Sequence, residues 1–373
     1  MKRILVESDH FLKIIPVMLD ARTSEEHVRA VADFFAHDVP DFLQWCERLR
    51  AEIPGLYPAE VEFAEDQSDF DARIEDADAV VVESFRVTRA TLARAKRLRA
   101  VQRYGAALAG IDVEACEERG IAVFPLRRIV NIAVAEQVLA LLITLSKRIV
   151  EFNHVVTADQ LRDAGYPVRS YDRRYIGGSN YGRVPGLRTL LGSTIGIVGL
   201  GEVGREIAIR ANAFGMTILY HQRNRLPPGD ELALGARHVP LHELMANSDY
   251  IVVQLPLNDS TRGIIDRTAL EAVKPGAILV NAARAHLVDR DALVDALKSG
   301  RLAGLGMDVG YAEPAEPNDP LLQFDKSKVI LQPHLAIAHR ENGLEDMRRL
   351  ALNIWSATLP IDQMSLRKRT SHL

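Results

Sequence analysis

The chain has 373 residues, 47% of them hydrophobic, which is enough for two domains each with its own core. A formal charge of -4, with Lys and Arg scattered among Asp and Glu, argues against nucleic acid as a main partner. Cys46 and Cys116 stand far apart and suggest neither a disulfide framework nor a metal site, the start MKRILVESDH lacks an apolar core of signal length, and no run is read as a membrane span, so a soluble cytoplasmic protein is expected.

Ile4 to Val6 reads as an opening strand, followed by a charged, partly helical region from Ser24 to Arg50 in which Phe34, Phe35, Phe42 and Trp45 are expected to bury one face. From Ala79 the pattern sharpens: AVVVE is a strand, Thr88 to Lys96 a helix capped by Thr88, and LRAVQRYG a strand ending at Gly105. The alternation continues through GIDVEACEERG and IAVFP, the order of a parallel sheet with helices on its faces. A first small α/β unit therefore ends near Pro125. Asn131 to Ile149 is apolar over much of its circumference and reads as a helix covered on several sides, either a core helix or one lying partly in a subunit interface. Gly165 to Gly192, rich in Gly, Tyr and Arg, reads as an ordered surface arm, available to a partner chain.

The stretch Thr194 to Tyr220 is strand, glycine turn, helix, strand. Gly199, Gly201 and Gly204 follow the spacing G-x-G-x-x-G: the first makes a tight turn, the second lets a pyrophosphate approach the backbone, the third lets helix pack on strand. The opening amides of the helix beginning at Glu202 offer donors and a positive dipole end to phosphates. Further strands follow at YIVVQLPL, AILVNAAR, LAGLGMDV and SKVILQPH, with helices IIDRTALEAVKPG and DRDALVDALKSG between them. This is a doubly wound dinucleotide domain over residues 126–337. The tail His339 to Leu359 carries Leu344, Met347, Leu350, Ala351, Ile354 and Trp355 at helical spacing and is expected to pack back on the first domain, so that 1–125 and 338–373 form one unit.

Ligands of such folds bind outside the carboxyl ends of the strands. Three polar side chains fall there: Arg284 after AILVNAA, Glu313 after LAGLGMDVGYA and His334 after VILQP. Singly each has an ordinary explanation, as a surface cation, a loop acid or a backbone-satisfied histidine. Together they make a set: an arginine fork holds a carboxylate and polarises a ketone, a histidine moves a proton near neutral pH, and a glutamate holds that histidine.

The motifs VGLGEVG, LPLNDSTRGIID, NAARAHLVDRDALVDAL, GMDVGYAEP and LQPHLA match, in order and spacing, those of the D-isomer-specific 2-hydroxyacid dehydrogenases, and the chain resembles that family from about Ala79 to Ile354. The resemblance implies two doubly wound α/β domains, a Rossmann dinucleotide domain inserted in a flavodoxin-like substrate domain, and a homodimer. It implies a hydride exchanged between a nicotinamide cofactor and a 2-keto or D-2-hydroxy acid, in the manner of a glyoxylate or hydroxypyruvate reductase. Arg284 would bind the substrate's carboxylate and carbonyl oxygen, His334 would donate the proton in reduction, and Glu313 would pair with His334. Asp308 would meet the nicotinamide carboxamide, Glu202 and Val203 the pyrophosphate, and Leu255, Pro256, Thr261, Ala282 and Ala283 the rest of the cofactor. The backbone of Ala106 and Ala107 would receive the substrate carboxylate.

This chain departs from the family pattern in places. Ala106 and Ala107 stand where the substrate loop usually carries a second glycine, Gln137 replaces a histidine after Val-Ala-Glu, Ala285 follows Arg284 where glycine is common, and Arg127 and Arg128 occupy a connecting segment that often reads Thr-Pro-Gly. The two arginines are read as solvated hinge charges, with an anionic ligand as the alternative. At the end of the second strand of the nucleotide motif, where an acid about 20 residues beyond the glycines would take the ribose hydroxyls of NAD, stands Gln222, followed by Arg223, Asn224 and Arg225. A neutral residue does not repel a 2′-phosphate and either arginine can pair with it, so NADP is expected over NAD. Formate dehydrogenases of this fold carry glutamine where Glu313 stands and are disfavoured. A phosphite-type dehydrogenase keeps all three residues and stays open; a non-catalytic nucleotide-sensing corepressor is opposed by the same three.

Overall fold

The computed structural model describes residues 2–169, 172, 174–175 and 181–359. The chain forms two compact units, one running to Asn131 and resuming at His339, the other spanning Ile132–Ala338. The first is built on a five-stranded sheet of β1 (Lys2–Glu7), β2 (Ala59–Ala64), β3 (Ala79–Val82), β4 (Ala100–Arg103) and β5 (Ala122–Phe124) in the order β2-β1-β3-β4-β5, all parallel. That is the flavodoxin-like order. β2 and the buried helix Ile14–Leu19 are additions to the elements read from sequence.

Aromatic anchoring of this unit differs in part from expectation. Phe35 and Phe42 are buried and stack at 4.9 Å, whereas Trp45 is only half-buried and Phe34 is 48% exposed, its ring covered on one side by the Arg340 guanidinium. The cause is helical phase: the core side of the helix Glu25–Phe35 is the stripe Val28, Val31, Ala32 and Phe35, and Phe34 falls off it. The helix Glu341–Thr358 buries Leu344, Met347, Leu350, Ala351 and Ile354 in the core that also holds Ile4, Val6 and Met18. From that helix the buried Asp346 accepts hydrogen bonds from the amides of Ile129 and Val130, supplying acceptors at the start of the helix Ile129–Ser146.

The second unit contains seven parallel strands: β6 (Thr194–Val198), β7 (Thr217–His221), β8 (Ala236–His238), β9 (Tyr250–Val253), β10 (Ala277–Asn281), β11 (Leu302–Met307) and β12 (Val329–Leu331), ordered β12-β11-β10-β9-β6-β7-β8. Strand order reverses between β6 and β9, which is where such sheets open a crevice for ligands. β9 and β10 are buried along their whole length, as near-continuous apolar runs in a sheet covered on both faces must be. Two glycines of β11 show how tightly one cover fits: a Cβ on Gly306 would lie 3.0 Å from Leu141, and one on Gly304 3.2 Å from Leu145.

The covering helix Ile129–Ser146 corrects one expectation, because it is long and apolar enough by length and composition to cross a membrane. Its buried residues, including Val138, Leu141 and Leu142, pack with Ile195, Ile197 and Val280 of the sheet, so that apolarity serves the core. It ends at Ser146, before the expected Ile149, because Arg148 takes a left-handed backbone (φ +52°) and a separate short helix, Ile149–Phe152, begins. In the arm beyond, the amide of Arg169 donates to Tyr181 and that of Arg183 to Pro167, pairing the two limbs. The middle of that arm, Ser170, Tyr171, Arg173 and 176–180, lies outside the described residues, as does the tail 360–373.

Candidate active site

The turn between β6 and the helix Glu202–Ala213 is closed from three sides. Gly199 sits at φ +102°, and a Cβ there would fall 2.3 Å from the Gln254 carbonyl oxygen; a Cβ on Gly204 would fall 2.3 Å from the Gly199 carbonyl oxygen. Both positions therefore demand glycine. Gly201 is different: a Cβ there would meet nothing within 4 Å. Its requirement is not internal packing but an open backbone face, beside first-turn amides for which it, as N-cap, supplies no side-chain acceptor. Glu202 and Val203 open that first turn. Gln222, at the end of β7, bonds the turn directly: its Oε1 accepts from the Leu200 amide at 3.1 Å and its Nε2 donates to the Asn224 carbonyl at 2.6 Å.

Next to the turn, a cleft of about 620 Å³ is lined by His221, Gln222, Arg223, Leu255, Pro256 and Thr261. The Thr261 hydroxyl donates to Pro256 at 2.6 Å and accepts from the Asn258 amide at 2.9 Å, which shapes the loop after β9. The two arginines after β7 are separated by their partners. Arg225 lies in a two-point fork on Glu231 (2.8 and 2.7 Å), to which the buried Tyr220 hydroxyl also donates at 2.6 Å. Arg225 first and Tyr220 second hold the Glu231 carboxyl down to about 2. Arg223 is exposed and, among the described residues, pairs with no acid.

Beyond β10, the fully buried Asn281 sets the course of the chain: its Nδ2 donates to the Arg284 carbonyl at 2.9 Å and its Oδ1 accepts from the Ala283 amide at 3.1 Å. Ala282 is buried and Ala283 half-buried, while the Arg284 side chain is exposed, with one guanidinium nitrogen on the Ala283 carbonyl at 2.7 Å. Beyond β11 and β12 the other two residues come together. His334 Nδ1 lies 3.1 Å from Glu313 Oε2, and Glu313 Oε1 accepts from the Gly310 amide at 3.0 Å. Burial works to raise the Glu313 carboxyl, but the Gly310 amide, His334 and the charge of Arg284 outweigh it and hold it below the usual range. The Arg284 charge thus adds, as the smallest of these influences, to the field on the pair. Against them lies a cavity of about 430 Å³, bounded also by Tyr311, Leu322 and Leu331.

His334 is held by a device the sequence does not announce. Its backbone is left-handed, φ +57°, unfavourable for a residue with a side chain. The two amides that follow, Leu335 and Ala336, donate to the two carboxylate oxygens of Asp308 at 2.8 Å each, and Asp308 is wholly buried. Asp308, singled out only by resemblance and for another contact, is here the clamp that fixes the histidine. Ala106 and Ala107 lie in the first unit, in the loop after β4, exposed and half-buried respectively.

The model of the D-isomer specific 2-hydroxyacid dehydrogenase NAD-binding domain matches residues 139–336. A glyoxylate reductase of Thermococcus onnurineus is 35% identical over 285 residues, covering 75% of this chain and 80% of the relative. One from Pyrococcus furiosus is 36% identical over 267 residues, covering 71% and 75%. Among solved structures, a glyoxylate reductase from Paecilomyes thermophila is 29% identical with a TM-score of 0.50, covering 95% of each chain.

Proposed function

Since the chain belongs to the D-isomer-specific 2-hydroxyacid dehydrogenase family, with that family's NAD-binding domain, we propose that it reduces a 2-keto acid to the D-2-hydroxy acid with NADPH as preferred cofactor. The observation that carries the reading is the His334–Glu313 pair, its carboxyl held low in part by Arg284, at the carboxyl ends of the strands. The glycine turn fits a dinucleotide because Gly201 alone of the three glycines presents an open face, next to a helix start whose N-cap has no side chain to cap it. Gly199, Gly201, Glu202, Val203 and Gly204 would hold the pyrophosphate, with Leu255, Pro256, Thr261, Ala282 and Ala283 along the remainder. When bound, the nicotinamide supplies or accepts the hydride.

The protein's own part is orientation and proton transfer. The planar fork of Arg284 holds the substrate carboxylate and carbonyl oxygen in one plane, fixing which face of the ketone is presented. His334, engaged through Nδ1 with Glu313, turns Nε2 to the carbonyl oxygen and gives up its proton as the alkoxide forms; in the oxidative direction it takes that proton back. The Glu313 carboxylate offsets the positive charge on the ring while it carries the proton. The backbone of Ala106 and Ala107 would complete carboxylate binding, which makes the first unit the substrate-binding one.

Preference for NADPH is supported by the contrast between the two arginines: Arg225 is occupied by Glu231, Arg223 is not, and Gln222 brings no negative charge. The chain acts as a homodimer in this reading, with the apolar helix Ile129–Ser146 and the arm after it as the contact. Absorbance at 340 nm with a panel of 2-keto acids and both reduced cofactors tests the whole. Turnover of glyoxylate or hydroxypyruvate with NADPH is expected, and a protein that binds the nucleotide yet reduces no keto acid would overturn it.

A further inference from the structure

The loop that carries Glu313 leaves β11 at Met307 and ends in the short helix Pro320–Gln323. At its start the chain folds on itself: the Gly310 amide donates to Glu313 Oε1 at 3.0 Å, and Gly310 has no room for a Cβ, which would run into the Ala312 carbonyl oxygen. Against this turn lies the cavity of about 430 Å³, bounded by Tyr311, Glu313, Asp319, Leu322 and His334 among others. A turn with empty space on one side lacks packing contacts there, so its place depends on the groups that tie it.

Tyr311, inside the turn, reaches the neighbouring loop. Its hydroxyl donates to the Val288 carbonyl at 2.9 Å and its ring meets the His286 ring edge-on, with centroids 5.5 Å apart. Both partners belong to the short segment that follows Arg284, so Tyr311 joins the chain around Glu313 to the chain around Arg284. Burial pushes the Tyr311 hydroxyl above the usual phenol range, which keeps it a donor at any working pH. A brace lies over the ring. The Arg290 guanidinium, from the first residue of the helix Arg290–Lys298, stands 5.5 Å from the ring centroid and 3.4 Å from Asp319 Oδ2, and Asp319 Oδ1 accepts from the Leu321 amide at 2.9 Å where the loop ends. Of the two joined segments only one is held independently. Asn281 donates to the Arg284 carbonyl at 2.9 Å, while the amide of Ile265 donates to Leu287 and its carbonyl accepts from Asp289. Among the described residues, the Glu313 turn has besides Tyr311 only its internal Gly310 bond and the His334 ring. Cutting the tie would therefore move Glu313 and leave Arg284 in place.

We propose that Tyr311, braced by Arg290, is a positioning residue for proton transfer, holding the Glu313 carboxylate against His334 Nδ1. This rests on the reading of the chain as a 2-keto acid reductase in which His334 gives up the proton. The carboxylate offsets the charge on the ring only while it stays within reach, so a Glu313 that drifts leaves the protonated ring less supported. Other charged and titratable groups bear on the arrangement: Arg284 on Glu313, and Asp289, Asp291, Asp319, Arg290 and His286 around Tyr311. Removing the one hydroxyl takes none of them away.

The test is Tyr311→Phe in the full chain, which keeps the ring and removes only the hydroxyl. Reduction needs a protonated His334, so its rate falls as pH rises, and that fall should move to lower pH by about half a unit to one unit, part of the roughly one to three units that an adjacent opposite charge is worth. Above the fall, kcat should accordingly drop about threefold to tenfold, with the loss fading at lower pH and the KM values for NADPH and keto acid little changed. A merely structural weakening would lower kcat at every pH. Arg290→Gln, which leaves the hydroxyl but strips the brace, should shift the fall the same way by less. In a Glu313→Gln background no carboxylate is left to position, so Tyr311→Phe should shift nothing further. A Tyr311→Phe enzyme with the wild-type pH profile, or an equal shift in the Glu313→Gln background, overturns the proposal. Following the His334 ring-proton resonances against pH, assigned by their loss in His334→Gln, reads the same displacement without turnover. If no keto acid is reduced yet Tyr311→Phe moves that titration, the proposed reaction fails and the positioning stands. If keto acids are reduced and neither readout moves, the reaction stands and the positioning fails.

Discussion

Replacing Asp308 by Asn should disable the enzyme without unfolding it. The carboxylate accepts two backbone hydrogen bonds at 2.8 Å and is wholly buried, so no water can take its place. Asparagine keeps one acceptor oxygen and turns an NH₂ group toward the other amide; one bond is lost and one buried N–H is orphaned, for about 1–3 kcal/mol. Against this stands the left-handed backbone of His334, at φ +57°, which costs a side-chain-bearing residue roughly 1–2 kcal/mol and is tolerated because the next two amides are anchored. The loss is comparable to the strain it restrains, so the segment should relax and carry His334 away from Glu313. At 1.4 kcal/mol per factor of ten, kcat for keto-acid reduction should fall about tenfold to a hundredfold. Steady-state kinetics with NADPH varied distinguish the clamp from the carboxamide contact that family resemblance assigns to this residue. The clamp predicts a fall in kcat with the NADPH KM little changed, whereas loss of a cofactor contact raises that KM. An Asp308→Asn enzyme with kcat within twofold of wild type would refute the reasoning.

Four further outcomes are expected. His334→Ala should lose ~10² to 10⁴ in turnover, the usual worth of a general acid, and Arg284→Lys should also be costly because an ammonium cannot reproduce the planar fork; near-normal turnover in either would remove the assignment. Arg223→Ala should weaken NADPH selectively and Gln222→Asp should swing preference toward NADH, read as kcat/KM for the two cofactors, and a tenfold wild-type preference for NADH would end the idea. Glu231 is held to about 2, so its contribution to stability is complete above about pH 4.5 and is lost as pH falls toward about 2. The wild-type melting temperature should accordingly fall more steeply across that window than that of Glu231→Gln, and parallel curves would contradict the linkage. Light scattering should give a dimer mass at micromolar concentration, and a monomer would rule out the helix Ile129–Ser146 as a subunit contact.

Much of the fold was legible because its determinants are local. The near-continuous apolar runs of β3, β9 and β10, the cap at Thr88 and the helix-ending Gly300 each act within a few residues, and local sequence patterns find them. What escaped was non-local. β2 reads AEVEFA, one-third charged, and is a strand because it pairs with β1 over six residues. Helix Ile14–Leu19 contains a proline and only six residues, and it is buried because the first unit's core closes over it. Ile129–Ser146, read correctly as a helix covered on several sides, shows a related limit: apolarity all round a helix records how many sides are covered, not by what.

The candidate site divides along the same line. Glycine spacing can be read from sequence since Gly199 and Gly204 are fixed by contacts within the motif and the strand beside it. Arg284, Glu313 and His334 were found by where they fall, at strand ends. The residues that hold them were not, because a buried Asp308 bonding to backbone amides 27 and 28 residues away leaves no pattern of residue types at short spacing. Arginine makes the point most sharply. Arg223 and Arg225 are equivalent in sequence, and only the fold reveals that Glu231, six residues on, has taken one of them. Arg127 and Arg128 are likewise adjacent and alike, yet one is exposed while the other lies against Tyr104 with a buried donor unspent. A guanidinium is always charged, so its function depends on which acceptors remain to it after folding. For these four arginines the useful observation is therefore the partner, and the partner is a property of the tertiary structure.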